Sequence, residues 1–253
     1  MRMGALLHLA LILGGPRGDL GGALAAGDEA FAAIDYQSAL DRYGEALAGH
    51  PGDPDILWRV ARAYVCLAEV EEGRARAAHL SRAEASAREC IRADSARGEG
   101  YTWLAAALGY LALDAGTSRK LELSRELDAE AHRALAINPD DDAALSILGS
   151  FYRALGNVGW LERAMASVFV GSVPRGGYRE AEEALTHAVA IAPDVMRHRY
   201  ELGILYIDMG RTEEARRELE AASRLPVRTA IDRPRLLKIR ELLDGLLREE
   251  RSQ

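Results

Sequence analysis

Six histidines, two cysteines and one acidic run are the residues of this 253-residue chain best suited by type to do chemistry. His8, His50, His79, His132, His187 and His198 would act as metal ligands or general bases only with partners at matching spacing. None falls in an HExxH pattern. His187 and His198 are separated by the turn containing Pro193, and no third ligand accompanies them. Asp140-Asp141-Asp142 has charge enough for a cation but lacks the alternating spacing and closing glutamate of a calcium loop. It follows Pro139 where a helix should begin, and acidic side chains favour the positive end of a helix dipole. Cys66 and Cys90 have no CxxC spacing and no nucleophile motif around them. They read as small buried apolar side chains or, in an exported protein, as a disulfide pair. Gly14-Gly15 and Gly21-Gly22 sit in neither a GxxxxGK[ST] nor a strand–GxGxxG context, and GxSxG does not occur. The pattern therefore assigns no catalytic residue, no cofactor and no metal, and it points away from an enzyme.

What is left is the chemistry of recognition, which needs a scaffold to present it. Hydrophobic residues make up 49% of the chain, enough for a sizeable core. Ala, Leu, Arg and Glu dominate, Val and Ile rarely alternate with polar residues, and the expectation is an all-α protein. The formal net charge is −7, from 32 Lys+Arg against 39 Asp+Glu, with no basic stripe to displace counterions from phosphates. Nucleic-acid binding is disfavoured on that ground. No stretch is long and apolar enough for a transmembrane helix.

The start, MRMGALLHLALILGG, sets Arg2 before an apolar run from Ala5 to Leu13, and Ala23-Leu24-Ala25 follows as a small-x-small site. Residues 1–25 read as a signal peptide, so the protein would be exported, periplasmic or secreted, with a domain over 26–250. The alternative is a hydrophobic start on a cytoplasmic protein, favoured by Arg17 and Asp19 in the connecting segment.

Self-similarity organises the rest. An opening pattern recurs as Val60-Ala61 then Tyr64, Leu104-Ala105 then Leu108, Leu148-Gly149 then Tyr152, and Leu202-Gly203 then Tyr206. A closing pattern recurs as Ala46-Leu47 then Pro51, Ala134-Leu135 then Pro139, and Ala188-Val189 then Pro193. Each unit is a helix with a small residue where its partner comes close, a turn, a second helix and a helix-stopping proline. These residues resemble the tetratricopeptide repeat, and the resemblance implies a superhelix of about five helix hairpins. The units fall near 20–53, 54–97, 98–141, 142–194 and 195–228, with insertions in the middle three. A capping helix over Arg233 to Glu250 is expected to bury Leu236, Leu237, Ile239, Leu242, Leu243, Leu246 and Leu247.

A narrower resemblance lies in the fourth unit. Leu155-Gly156-Asn157-Val158-Gly159-Trp160-Leu161-Glu162-Arg163, then Val173-Pro174 and Tyr178-Arg179-Glu180-Ala181, are similar to the regulator-of-microtubule-dynamics family. So are Ile191-Ala192-Pro193-Asp194 and the ending Ala221-Ala222-Ser223-Arg224-Leu225-Pro226. The resemblance implies association with microtubules and a mitochondrial or cytoplasmic place in animal members. The Ala-, Arg- and Gly-rich composition suggests a bacterial member, whose function need not follow the family name.

In such an array the first helices line a concave face suited to a peptide or protein partner. Aligning the units on the small residue marks Trp58, Arg62 and Val65, then Thr102, Ala106 and Gly109 with Tyr110 beside them. It also marks Ser146, Ser150, Arg153, Tyr200 and Ile204. Trp, Tyr and Arg recur at binding hot spots, and Arg62 and Arg153 could clamp a carboxylate. The aromatics could equally fill gaps between helices. The Lys and Asn set with which some repeat proteins hold a peptide's terminal carboxylate is not reproduced. Around Trp160, Leu161, Ala164, Met165, Val168 and Phe169 form one apolar stripe that either packs on the array or docks a partner or membrane surface. The leading expectation is a scaffold or adaptor that holds another protein. The alternative is a self-associating structural protein of the cell envelope.

Overall fold

A computed structural model describes residues 20–158 and 174–250, with side chains to residue 248. Eleven helices lie among the described residues. They pair as hairpins α1 (Leu20–Ala32) with α2 (Tyr36–Gly49), α3 (Pro54–Ala68) with α4 (Gly73–Ala93), and α5 (Gly98–Leu113) with α6 (Thr117–Ile137). Next come α7 (Asp142–Gly156) with α8 (Tyr178–Ile191), then α9 (Met196–Asp208) with α10 (Thr212–Ser223). The final helix, α11 (Asp232–Glu250), lies on α10 and α9. The five expected units are thus all present. No described helix is long and apolar enough to cross a membrane.

Local chemistry explains the helix starts. Asp35 caps α2 by accepting from the Ser38 amide at 3.1 Å, and Asp141 caps α7 through the Ala144 amide at 2.9 Å. Asp53 accepts from the Asp55 amide at 2.8 Å, with Pro54 just inside the helix where its missing N–H costs nothing. The extra length of the second and third units is taken up as helix. α4 and α6 have 21 residues each, against 14 in α2 and α8.

The small residues of the opening pattern stand where the hairpin partner crosses. A Cβ on Gly149 would meet Leu185 Cγ at 2.4 Å, and one on Gly203 would meet Leu219 at 2.8 Å. Leu185 and Leu219 are wholly buried, so these glycines let a leucine of the second helix sit against the backbone of the first. Ala61 and Ala105 fill the equivalent positions in the second and third units and are also wholly buried.

One expectation for the capping helix is corrected. Ile239 and Leu246 are buried, with Leu236, Leu242 and Leu243 packed beside them, but Leu237 is 60% exposed and Leu247 is exposed too. A seven-leucine stripe is wider than the arc one helix can turn to a single neighbour.

Candidate functional site

Both arginines expected to clamp a partner's carboxylate hold carboxylates of their own chain. Arg62 reaches Asp28 of α1 at 3.3 Å and lies over the Phe31 ring at 3.8 Å. Arg59 shares that carboxylate at 3.1 Å, and the Tyr43 hydroxyl donates to it at 2.7 Å. Burial, then this bond to Asp28, pushes the Tyr43 phenol up to about 12. Arg153 of α7 pairs with Asp208 at 2.9 Å and with Glu201 at 3.7 Å, both on α9. Similar ties run from unit to unit. Arg97 at the start of α5 pairs with Asp55 of α3 at 3.0 Å, and Thr102 of α5 donates to Asp141 at 2.6 Å. His198 of α9 meets Asp142 of α7 at 2.7 Å.

The aligned positions are less exposed than a free concave face requires. Val65 is 1% and Thr102 2% exposed, and Ala106 and Ser146 are buried as well. Ser150 spends its hydroxyl on the Ser146 carbonyl at 2.9 Å. Tyr110 donates to Glu69, Gly109 abuts Leu127, and Tyr200 lies half-buried with the Arg235 guanidinium 5.4 Å from its ring. Ile204 is partly buried on α9. Trp160 and the apolar stripe after it lie outside the described residues.

Four of these positions, Trp58, Val65, Thr102 and Ala106, line two hollows. The first is a groove of about 540 Å³ where the starts of α3, α5 and α7 meet, lined by Trp58, Thr102 and Trp103. Its rim carries Asp94, Glu99, Asp140, Asp141 and Asp142 against the single cation Arg97. Arg97 is already paired with Asp55, and Asp140 and Asp142 face His187 at 3.3 Å and His198. Burial raises the Asp141 carboxyl above the ordinary aspartate value, with Thr102 and the Ala144 amide pulling the other way. Glu99 has no ion-pair partner among the described residues. Trp58 has Arg59 4.4 Å over its ring. Trp103 escaped the sequence alignment because it stands one residue, about 100° of helix, beyond the position aligned with Trp58.

The second hollow is a cavity of about 190 Å³ on the inner face, walled by Val65 and Cys66 of α3, by Glu69 just after it, and by Ala106 and Ile147, with Trp103, Asp142 and Ala143 shared between the two hollows. Residues Thr229, Ile231, Asp232 and Arg235 close it. Arg197 of α9 crosses this space to Glu69 at 3.1 Å. Cys66 and Cys90 are both free and buried, and no group of three or more metal-binding side chains forms among the described residues.

The chain has relatives. The family described as regulator of microtubule dynamics protein 1-3 matches residues 23–247. Regulator of microtubule dynamics protein 3 of Xenopus laevis is 25% identical over 198 residues, which are 78% of this chain and 43% of that protein. Regulator of microtubule dynamics protein 2 of Mus musculus is 21% identical over 78% of this chain and 48% of its own length. The chain thus spans less than half the length of these curated relatives. The crystal structure of a thermophilic tetratricopeptide-repeat protein from Thermus thermophilus matches with a TM-score of 0.65 at 23% identity, covering 90% of this chain and 98% of that one. A hairpin array tied helix to helix, matched by that family over residues 23–247, identifies this chain as a member of the regulator of microtubule dynamics family with a tetratricopeptide-repeat fold.

Proposed function

We propose that this protein is an interaction scaffold that seats a basic segment of a partner protein in the groove between Trp58 and Trp103. The observation that carries this is the groove's charge. Five carboxylates line it with the one cation Arg97, which Asp55 and Asp94 share; Asp140 and Asp142 meet histidines, and Glu99 is left without an ion-pair partner among the described residues. Trp58 already carries Arg59 and Arg62 over its ring, whereas the Trp103 indole beside these carboxylates suits a partner's arginine or lysine, whose stem packs on the ring while its head meets the charge. Such a seat would be sequence-tolerant and sensitive to salt.

Anisotropy of a fluorescein-labelled Arg/Lys-rich peptide, beside its Glu-substituted counterpart, tests this. The basic peptide should bind, and Glu99→Lys should weaken it about tenfold, near 1.4 kcal/mol. Equal binding of the acidic peptide, or no change in Glu99→Lys, would remove the groove from consideration.

Membership of the family supports a second proposal, that the partner is associated with microtubules. Co-sedimentation with assembled microtubules, with Glu99→Lys alongside, tests it. Recovery only in the supernatant would sink it. Export is a separate proposal, supported by the basic, apolar and small-residue order of residues 1–25. A mature start near Ala26, found by sequencing the protein from its own cells, would support it, and a start at Met1 would refute it.

A further inference from the structure

The inner face of this array has an occupant, and it is the chain's own segment between α10 and α11. The Ala230 amide donates to the Tyr36 hydroxyl on α2 at 3.0 Å, a contact spanning 194 residues. The segment's remaining bonds are mostly internal. Asp232 accepts from the Arg228 amide at 3.0 Å and the Thr229 amide at 2.9 Å, and it pairs with Arg235 at 2.7 Å. Arg228 adds an ion pair to Asp194, beside the start of α9, at 2.8 Å. Toward the first three units, the bond to Tyr36 is the one hydrogen bond this segment makes among the described residues. It is therefore firmly built on the C-terminal side and lightly fastened across the gap.

We infer that residues 228–235 form a strap that lifts as a preformed piece from Tyr36, opening the cavity beneath while the five hairpins stay folded. Low-stability openings of this kind arise where few bonds cross a boundary. A ligand of the inner face must compete with the strap, so its apparent affinity falls by the fraction of molecules open. This inference does not rest on the charge of the Trp58–Trp103 groove, which adjoins the cavity through Trp103, Asp142 and Ala143.

The chain carries its own reporters. Cys66 stands on the cavity wall under the strap, 6% exposed. Burial, followed by the charge of Glu69, raises its thiol. Cys90 is wholly buried at the joint of α4 with α5, against Gly100, and its thiol donates to the Pro54 carbonyl at 3.4 Å.

The experiment is N-ethylmaleimide labelling of the full chain at fixed pH, with each cysteine followed by peptide mass spectrometry. Cys66 should react faster than Cys90 in native buffer. Tyr36→Phe also takes a hydroxyl away from the Cys66 thiol, so its effect is read at the strap itself: amide exchange across 228–235 should rise roughly two- to tenfold, the equivalent of one ordinary hydrogen bond, with α4 and α5 unchanged. Equal rates at the two cysteines would mean that the cavity opens only by unfolding, and would overturn the inference. So would a parallel rise of exchange in α4 and α5 in Tyr36→Phe, or no rise across 228–235. Amide exchange provides a check without substitution. Residues 228–235 should exchange faster than α3 and α5, and exchange at one common rate would also overturn the strap.

Discussion

The two hollows are built from the same helices yet differ in what fills them. At the starts of α3, α5 and α7, carboxylates outnumber cations and two indoles line open space. A few turns along the same helices, charges are matched: Glu69 by Arg197 and Tyr110, Asp232 by Arg235. Unmatched charge at a wet rim costs little and is available to a partner. Matched charge on a buried wall belongs to the fold. The expected binding positions divide along this line, with Trp58 and Thr102 on the groove and Val65 and Ala106 on the cavity.

Substitutions can break or sharpen that contrast. Arg235→Ala should have the largest effect. It leaves the Asp232 carboxylate, only 4% exposed, with the Arg228 and Thr229 amides but no counter-charge, and loss of one partner from a buried pair costs about 3–5 kcal/mol. A urea midpoint that scarcely moves would show the inner face to be as tolerant as the rim. Gly149→Ala comes next, because the new methyl would lie 2.4 Å from Leu185. Overpacking of this kind costs about 1–3 kcal/mol. It should lower stability while leaving the labelling order of Cys66 and Cys90 as it was, since the α7–α8 joint belongs to neither hollow.

Glu99→Lys should behave in the opposite way, with stability within about 0.5 kcal/mol of wild type and peptide binding weakened. A large stability loss would mean that Glu99 serves the fold. The smallest effect concerns Asp141, whose carboxyl lies above the ordinary aspartate value. Between that ordinary value and its raised one, the folded chain holds a proton that the unfolded chain has released. The contribution of Asp141 to stability therefore falls as pH rises through that window. Asp141→Asn should flatten this part of the pH–stability profile, and parallel profiles would refute it.

Much of the architecture was legible because it is periodic. Apolar residues at helical spacing, the small residue of each first helix and the stops at Pro51, Pro139 and Pro193 locate the hairpins to within a few residues. The contacts between elements were not legible. Arg62 does bind a carboxylate, but nothing in the periodicity names Asp28, 34 positions earlier, as the one it takes. The bond from Ala230 to Tyr36 is harder still, since it joins the first repeat to the segment after the last one and follows no period. Exposure on the capping helix was misjudged at Leu237 and Leu247 because leucine content alone does not say which arc meets a neighbour.

That bond between Tyr36 and Ala230 bears on how the chain assembles. In a simple repeat array each unit needs only its neighbours, and synthesis can fold it from the first unit onward. Here the α1–α2 unit acquires one of its contacts only after the segment following α10 has been made. Bringing such distant residues together carries an entropy cost that grows only with the logarithm of the intervening length. The closure is therefore inexpensive once the hairpins stand in line, and it comes late. A chain stalled before residue 230 would hold folded hairpins joined across the inner face by Arg197 and Glu69 but not yet covered, so the residues around Ala230 draw the first unit into a closure that α9 has begun.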